Sequence, residues 1–179
     1  MGSRSDAEQV VRLARSRKAL LGKAHLIRID GPAAAGKTTL AEEIAELVDA
    51  SVVHMDDLYE GWNGLQQGIA QLLPLVIALS TDAPAIYHRF DWATDDYAEA
   101  VTVAPAPFVI VEGVGSGTRE LDPWSSALVW VDASEETRRR RAAERNDALS
   151  DRWDEWAADE NELFAYERTR EHADLVMES

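Results

Sequence analysis

Several short stretches of this chain carry side chains whose types and spacing suit the handling of a polyphosphate. The first is Gly31-Pro32-Ala33-Ala34-Ala35-Gly36-Lys37-Thr38-Thr39, which contains G-x-x-x-x-G-K-T. Backbone N–H groups in such a loop turn inward around phosphate oxygens, and the small residues between the glycines leave that approach open. In this reading Gly31, Ala33, Ala34, Ala35, Gly36, Lys37, Thr38 and Thr39 cradle the phosphates of a nucleotide. Lys37 reaches the β- and γ-phosphates, and the Thr38 hydroxyl ligates Mg²⁺. A plain glycine turn before a helix would share the pattern, but the flanking context fits the phosphate loop. Ile27 and Ile29 lie in a strand-like run before it, and Leu40 to Val48 is a good helix after it.

The acids come next. Strand-like runs end at Asp30, Asp56-Asp57, Phe90-Asp91, Glu112 and Asp132. Ligands of an open parallel sheet sit beyond the carboxyl ends of its strands, so these carboxylates are expected around the phosphates with a divalent cation among them. Glu112 is the candidate that places Mg²⁺ together with Thr38; a turn cap is its plainer role. Asp56 is the candidate general base for an acceptor hydroxyl, and Asp57 could replace it.

Arg138-Arg139-Arg140-Arg141 and Arg145 form a basic block. On a helix Arg138, Arg141 and Arg145 share a face. Arg141 and Arg145 are candidates to clamp a transferring phosphoryl group, whereas Arg139 and Arg140 suit surface pairs with nearby glutamates. Tyr59, Trp62, Phe90 and Trp92 lie in loops beside the acids, where aromatic faces suit a planar or apolar acceptor. His25, His54, His88 and His172 show no metal-ligand spacing and read as structural.

Positioning these groups requires alternating strands and helices. An amphipathic helix is expected from Asp6 to Leu21, and strands at 51–55, 85–90, 100–103, 108–113, 127–132 and 173–177. Helices are expected at 65–79, broken or kinked at Pro74, at 135–145, and in two acidic Trp-bearing stretches, 153–158 and 161–170. Alternation of this kind predicts an α/β fold, a mainly parallel sheet with helices on both faces. One domain spanning 1–179 is expected, with an N-terminal helix over 1–22 and a short helical lid over about 134–165.

The formal charge of −15 argues against nucleic acid as a general partner. There is no cysteine, so no thiol chemistry. With no apolar run of about 18 residues and a charged start, a soluble cytoplasmic protein with no membrane partner is expected. Composition leaves the oligomeric state open.

With these residues in place, the chain resembles the uridine kinase and phosphoribulokinase family of P-loop kinases from Ile27 onward. Met55-Asp56-Asp57-Leu58-Tyr59 is similar to that family's Q-D-S-F-Y, and Phe90-Asp91-Trp92 to its Y-D-F. Val109-Ile110-Val111-Glu112-Gly113-Val114 is similar to its apolar-E-G-I strand. Thr137 to Asn146 resembles its arginine-rich lid, and Thr169 to Val176 its T-K-K-Y-A-D-V-I segment. The resemblance implies a three-layer P-loop NTPase fold, ATP and Mg²⁺ as cofactors, and Asp56 as base. It also implies Tyr59, Phe90, Asp91 and Trp92 near a small-molecule acceptor. The family's acceptor-binding His and Arg are replaced by Ala93-Thr94-Asp95-Asp96, its second lid Arg by Ala142 and its final lid Asp by Asn146.

Three readings follow. The first is a uridine kinase-like enzyme moving a phosphoryl group from ATP to a hydroxyl of a small acceptor, a nucleoside among the candidates. Asp56, Lys37, Arg141 and Arg145 would be catalytic, and Asp57, Tyr59, Trp62, Arg89, Phe90, Asp91 and Trp92 acceptor-binding. The second is a P-loop ATPase or nucleotide-dependent switch acting on a protein. The third is a nucleotide as acceptor, with Arg89 holding its phosphate.

Overall fold

β1 (His25–Asp30), β5 (Phe108–Glu112) and β6 (Ser125–Asp132) are buried along nearly their whole length in the computed structural model. β5 up to Glu112 and the middle of β6 are the apolar runs that strands covered on both faces should be, whereas β1 also buries Arg28 and Asp30. The structure describes residues 4–144, 149 and 151–179. These strands form the middle of a five-stranded, all-parallel sheet in the order β2-β5-β1-β6-β7, with β2 (Ala50–His54) and β7 (Leu175–Glu178) at its edges. Alternate residues serve opposite cores. Ile27, Ile29, Phe108 and Ile110 pack with α1 (Arg4–Ser16) and α2 (Lys37–Leu47) on one face. Leu26, Val109 and Val111 pack on the other with α3 (Leu65–Ser80) and, from α5 (Trp153–Glu167), Trp156 and Leu163. The three layers are thus helix, sheet and helix.

β5 lies between β1 and β2, so the chain leaving β1 through the phosphate loop must cross over before returning. Its loop therefore sits above the carboxyl ends of β1 and β5, the crevice where ligands of such sheets bind. α4 (Glu135–Glu144) follows β6, and α6 (Thr169–His172) follows α5 after Arg168, whose φ of 54° ends the longer helix.

The structure departs from expectation in four places. α1 ends at Ser16, whose hydroxyl bonds back to Leu13 O at 2.7 Å, and Leu21 instead bridges Ala24. α3 runs unbroken through Pro74, because Pro74 and Ala70 both face solvent and water can satisfy the carbonyl the ring leaves unpaired. The strands expected near 85–90 and 100–103 are β3 (Ala85–Asp91) and β4 (Asp96–Val103), an antiparallel hairpin separate from the main sheet. The two Trp-bearing stretches are largely one helix, α5. No helix among the described residues is long and apolar enough to cross a membrane.

The outer strand is fastened by a charged clasp. Asp174 accepts from Leu128 N at 2.8 Å and from Arg17 at 2.7 Å, joining the end of α1, β6 and the entry to β7. Burial pushes the Asp174 carboxyl up, but the Arg17 hydrogen bond and the Leu128 N–H outweigh it and hold the pKa below the ordinary value. A depressed carboxylate stabilises the fold above its unfolded pKa and loses that contribution as pH falls through the native one. Asp174→Asn should therefore cost about 1–2 kcal/mol at neutral pH, the low end of what a hydrogen bond to a charged group is worth, because solvent screens this partly exposed pair. Urea unfolding should show the gap narrowing in acid; the same gap at about pH 7 and about pH 2.5 would contradict the assignment.

Candidate functional site

The phosphate loop is held from below by a carboxylate. Asp30, fully buried at the end of β1, accepts N–H bonds from Gly31 at 2.7 Å, Gly115 at 3.1 Å and Gly117 at 2.8 Å. Those three amides offset the charge, although burial still raises the pKa of Asp30. Gly31 must be glycine, since its φ is 137° and an added Cβ would lie 2.0 Å from Val131 O. Lys37 folds back over the loop and donates to Gly31 O at 2.7 Å and Pro32 O at 2.8 Å.

Not every loop amide faces the cavity. Gly31 N is taken by Asp30, Ala33 N by Glu160 at 2.9 Å, and Ala35 N by Pro32 O at 3.2 Å. This corrects the even cradle expected from the spacing for Gly31, Ala33 and Ala35. Gly36 caps α2 in the left-handed conformation, and helix geometry leaves the N–H groups of Lys37, Thr38 and Thr39 without intrahelical acceptors. That first turn is the anion-binding end.

Beside it is a cavity of about 590 Å³. Its loop end is lined by Ala33, Ala34, Gly36, Lys37, Thr38, Thr39 and Arg141, and its floor by Asp56 and Glu112. Glu112, buried at the end of β5, accepts from Thr38 Oγ1 at 3.2 Å and faces His54 Nδ1 at 2.7 Å. The Glu112 hydrogen bond raises the pKa of His54, so this histidine, expected to be merely structural, orients the acid. Asp56 lies in the 3-10 turn after β2 (Met55–Asp57). Enclosure by the cavity walls and the charge of Glu112 push its carboxyl up, while solvent still reaches it through the mouth. Thr38 and Glu112 are adjacent hard oxygen donors. Mg²⁺ commonly takes one or two such protein groups and completes its shell with phosphate and water, so the pair fits that ion. Among the described residues no three His, Cys, Asp or Glu side chains cluster as a self-sufficient metal site.

The aromatic end of the cavity is formed by Tyr59, Trp62, Trp92 and Trp156. Their rings meet edge-on or tilted: Tyr59 and Trp156 at 5.2 Å, Trp62 and Trp92 at 5.0 Å, Trp62 and Trp156 at 6.1 Å. Tyr59 OH donates to Val114 O at 2.6 Å, and Trp92 Nε1 to Asp56 O at 2.9 Å, which ties the β3–β4 hairpin to the turn carrying Asp56.

The other candidates stand outside this lining. Asp57 accepts from Tyr87 OH at 2.9 Å, which turns it away and separates the two neighbouring aspartates. Arg89 pairs with Glu99 at 2.9 Å and with Asp91 at 3.8 Å along the hairpin. Phe90 is buried behind Trp92, their centroids 5.8 Å apart. Asp132 receives Ala133 N and Trp130 Nε1 rather than facing the phosphates. Arg141, by contrast a lining residue, donates to Ala34 O, Ala35 O and the Ser179 hydroxyl. Arg139 and Arg140 make surface pairs, with Glu135 and Asp154 and with Glu144. Arg145 and Asn146 lie outside the described residues. Trp156, Glu160 and His54 have no sequence signal toward the site; only the fold brings them there.

Gly113 sets the spacing between the two acids. Its φ is 129°, and a Cβ would lie 2.4 Å from the Met55 side chain, immediately before Asp56. Gly113→Ala should cost about 2 kcal/mol through strain and overpacking. That lowers Tm by roughly 4–8 °C for a chain of this size, readable by calorimetry; an unchanged Tm would show that the turn is free to move.

Neither a family model nor a curated protein matches the sequence. Solved structures do match. A possible uridine kinase from Bacillus stearothermophilus is 21% identical, with a TM-score of 0.68 over 95% of this chain and 97% of that one. A protein named as a fructose transport system kinase from Silicibacter sp. TM1040 is 22% identical, with a TM-score of 0.67 over 98% of both chains. Sheet order, loop position and these likenesses agree: the chain has the three-layer α/β fold of P-loop kinases.

Proposed function

We propose that the protein is an ATP- and Mg²⁺-dependent kinase that phosphorylates a hydroxyl of a small acceptor. The observation that carries this reading is a single cavity with two different ends. Lys37, Thr38 and the first turn of α2 line one, Tyr59, Trp62, Trp92 and Trp156 line the other, and Asp56 and Glu112 lie between. An ATPase working on a protein would not need an aromatic recess beside its base.

In this scheme the α2 first-turn amides hold phosphate oxygens, and Lys37 exchanges its loop carbonyls for them. Thr38 and Glu112 would hold Mg²⁺, which when bound neutralises charge on the phosphates. Asp56 accepts the proton of the attacking hydroxyl; its upward-shifted pKa makes it a stronger base than an ordinary carboxylate. Trp92 fixes the backbone that carries Asp56, and the aromatic wall orients the acceptor and excludes water that would compete for the phosphoryl group. Arg141 stands at the edge of the cavity against the loop. Arg89, already paired with Glu99, is a poor holder of an acceptor phosphate, which favours an unphosphorylated acceptor.

The decisive assay measures ATP consumption across nucleosides, sugars and vitamin-like alcohols, with the product identified by mass. One acceptor should stimulate consumption and gain a phosphoryl group; acceptor-independent hydrolysis, raised only by a protein partner, would overturn the reading. With that acceptor, Asp56→Asn should lower kcat by roughly 10²–10⁴-fold, the usual contribution of a general base, at near-constant KM for ATP. Wild-type turnover in this variant would remove Asp56 from the mechanism.

A further inference from the structure

α5 touches both ends of the cavity. Trp156 contributes to the acceptor wall, and Glu160, one helical turn later, is 2% exposed and accepts the N–H of Ala33 in the phosphate loop at 2.9 Å. The carbonyl of the same residue is held as well: Arg138 of α4 donates to Ala33 O at 3.3 Å and pairs with Glu160 at 3.4 Å. Arg138 also lies over the Trp153 ring, 5.3 Å from its centroid, at the start of α5. Ala33 is therefore gripped on both sides of its backbone by groups from two helices more than 100 residues further along the chain.

The grip is costly unless it is complete. A buried carboxylate needs its partners, and Glu160 has the Ala33 amide and the Arg138 guanidinium. Burial raises the pKa of Glu160, and the Trp156 indole N–H, one helical turn before it on the same face of α5, is buried without a hydrogen-bond partner among the described residues. Trp156 in the cavity wall and the carboxylate that holds Ala33 are thus carried by one helix, four residues apart.

We propose that Glu160 is a positioning residue which, through Ala33 and together with Arg138, sets the geometry of the phosphate loop and couples it to Trp156 in the acceptor wall. Donor binding and the acceptor wall then report on each other through α5. The proposal rests on the reading that this loop binds nucleotide phosphates.

The test titrates the full chain with Mg²⁺ and a non-hydrolysable ATP analogue, following heat by calorimetry and tryptophan emission together. The wild type should bind with an emission change, and Trp156→Phe should remove most of that change despite the other five of the six tryptophans. Glu160→Gln keeps an acceptor for Ala33 N–H but not the charge; it should bind roughly tenfold more weakly, in line with the loss of a charge-assisted contact. Its emission change at saturation should also be reduced, which a merely structural role would not produce at unchanged Tm. Should Glu160→Gln fail to fold, Trp156→Phe asks the same question with the carboxylate intact: an unaltered emission change overturns the coupling. Affinity within twofold of wild type in folded Glu160→Gln overturns the positioning role. No binding by the wild type overturns the donor site itself, and the coupling with it.

Discussion

The phosphate loop is anchored by one buried charge. Asp30 cannot stay ionised in the core without donors, and the amides of Gly31, Gly115 and Gly117 supply them. Gly31 begins the phosphate loop, while Gly115 and Gly117 follow the strand that carries Glu112. The carboxylate therefore fixes the phosphate loop relative to Glu112. Removing it would leave three buried amides unsatisfied and separate the two loops on which the cavity is built.

Around that anchor the site is assembled from pieces far apart in sequence. β5 inserted between β1 and β2 brings Glu112 against Thr38, and Trp92 from the hairpin ties down the turn bearing Asp56. α4 and α5 close over the loop from outside, Arg141 on its carbonyls and Glu160 on its amide. The result is an acidic floor between a positively polarised helix end and an aromatic recess. Phosphoryl transfer to an alcohol needs this polarity: charge-stabilising donors on one side, a base in the middle and a dry acceptor pocket on the other.

The phosphate loop was legible because its chemistry is local: glycines, a lysine and a threonine at fixed offsets between a strand and a helix. The sheet was legible because β5 and the middle of β6 are continuous apolar runs. Asp56 and Asp57 could not be told apart, since they are neighbours in a 3-10 turn and the group that separates them, Tyr87, arrives from the hairpin. Glu160 and Trp156 carried no signal because their partners lie in other elements. Pro74 misled because propensity says nothing of which face of α3 meets water. Arg89 looked available until β4 placed Glu99 against it.

The central claim is that one cavity holds the donor phosphates, their metal and the base. It is tested most directly by diffraction from crystals grown with manganese in place of magnesium and a non-hydrolysable ATP analogue. Anomalous scattering locates the metal. The account predicts the metal beside Thr38 Oγ1 on the Glu112 side, with the terminal phosphate directed toward Asp56 and the aromatic recess. A nucleotide seated with its terminal phosphate away from Asp56, or a metal held without Thr38 and Glu112, would contradict it.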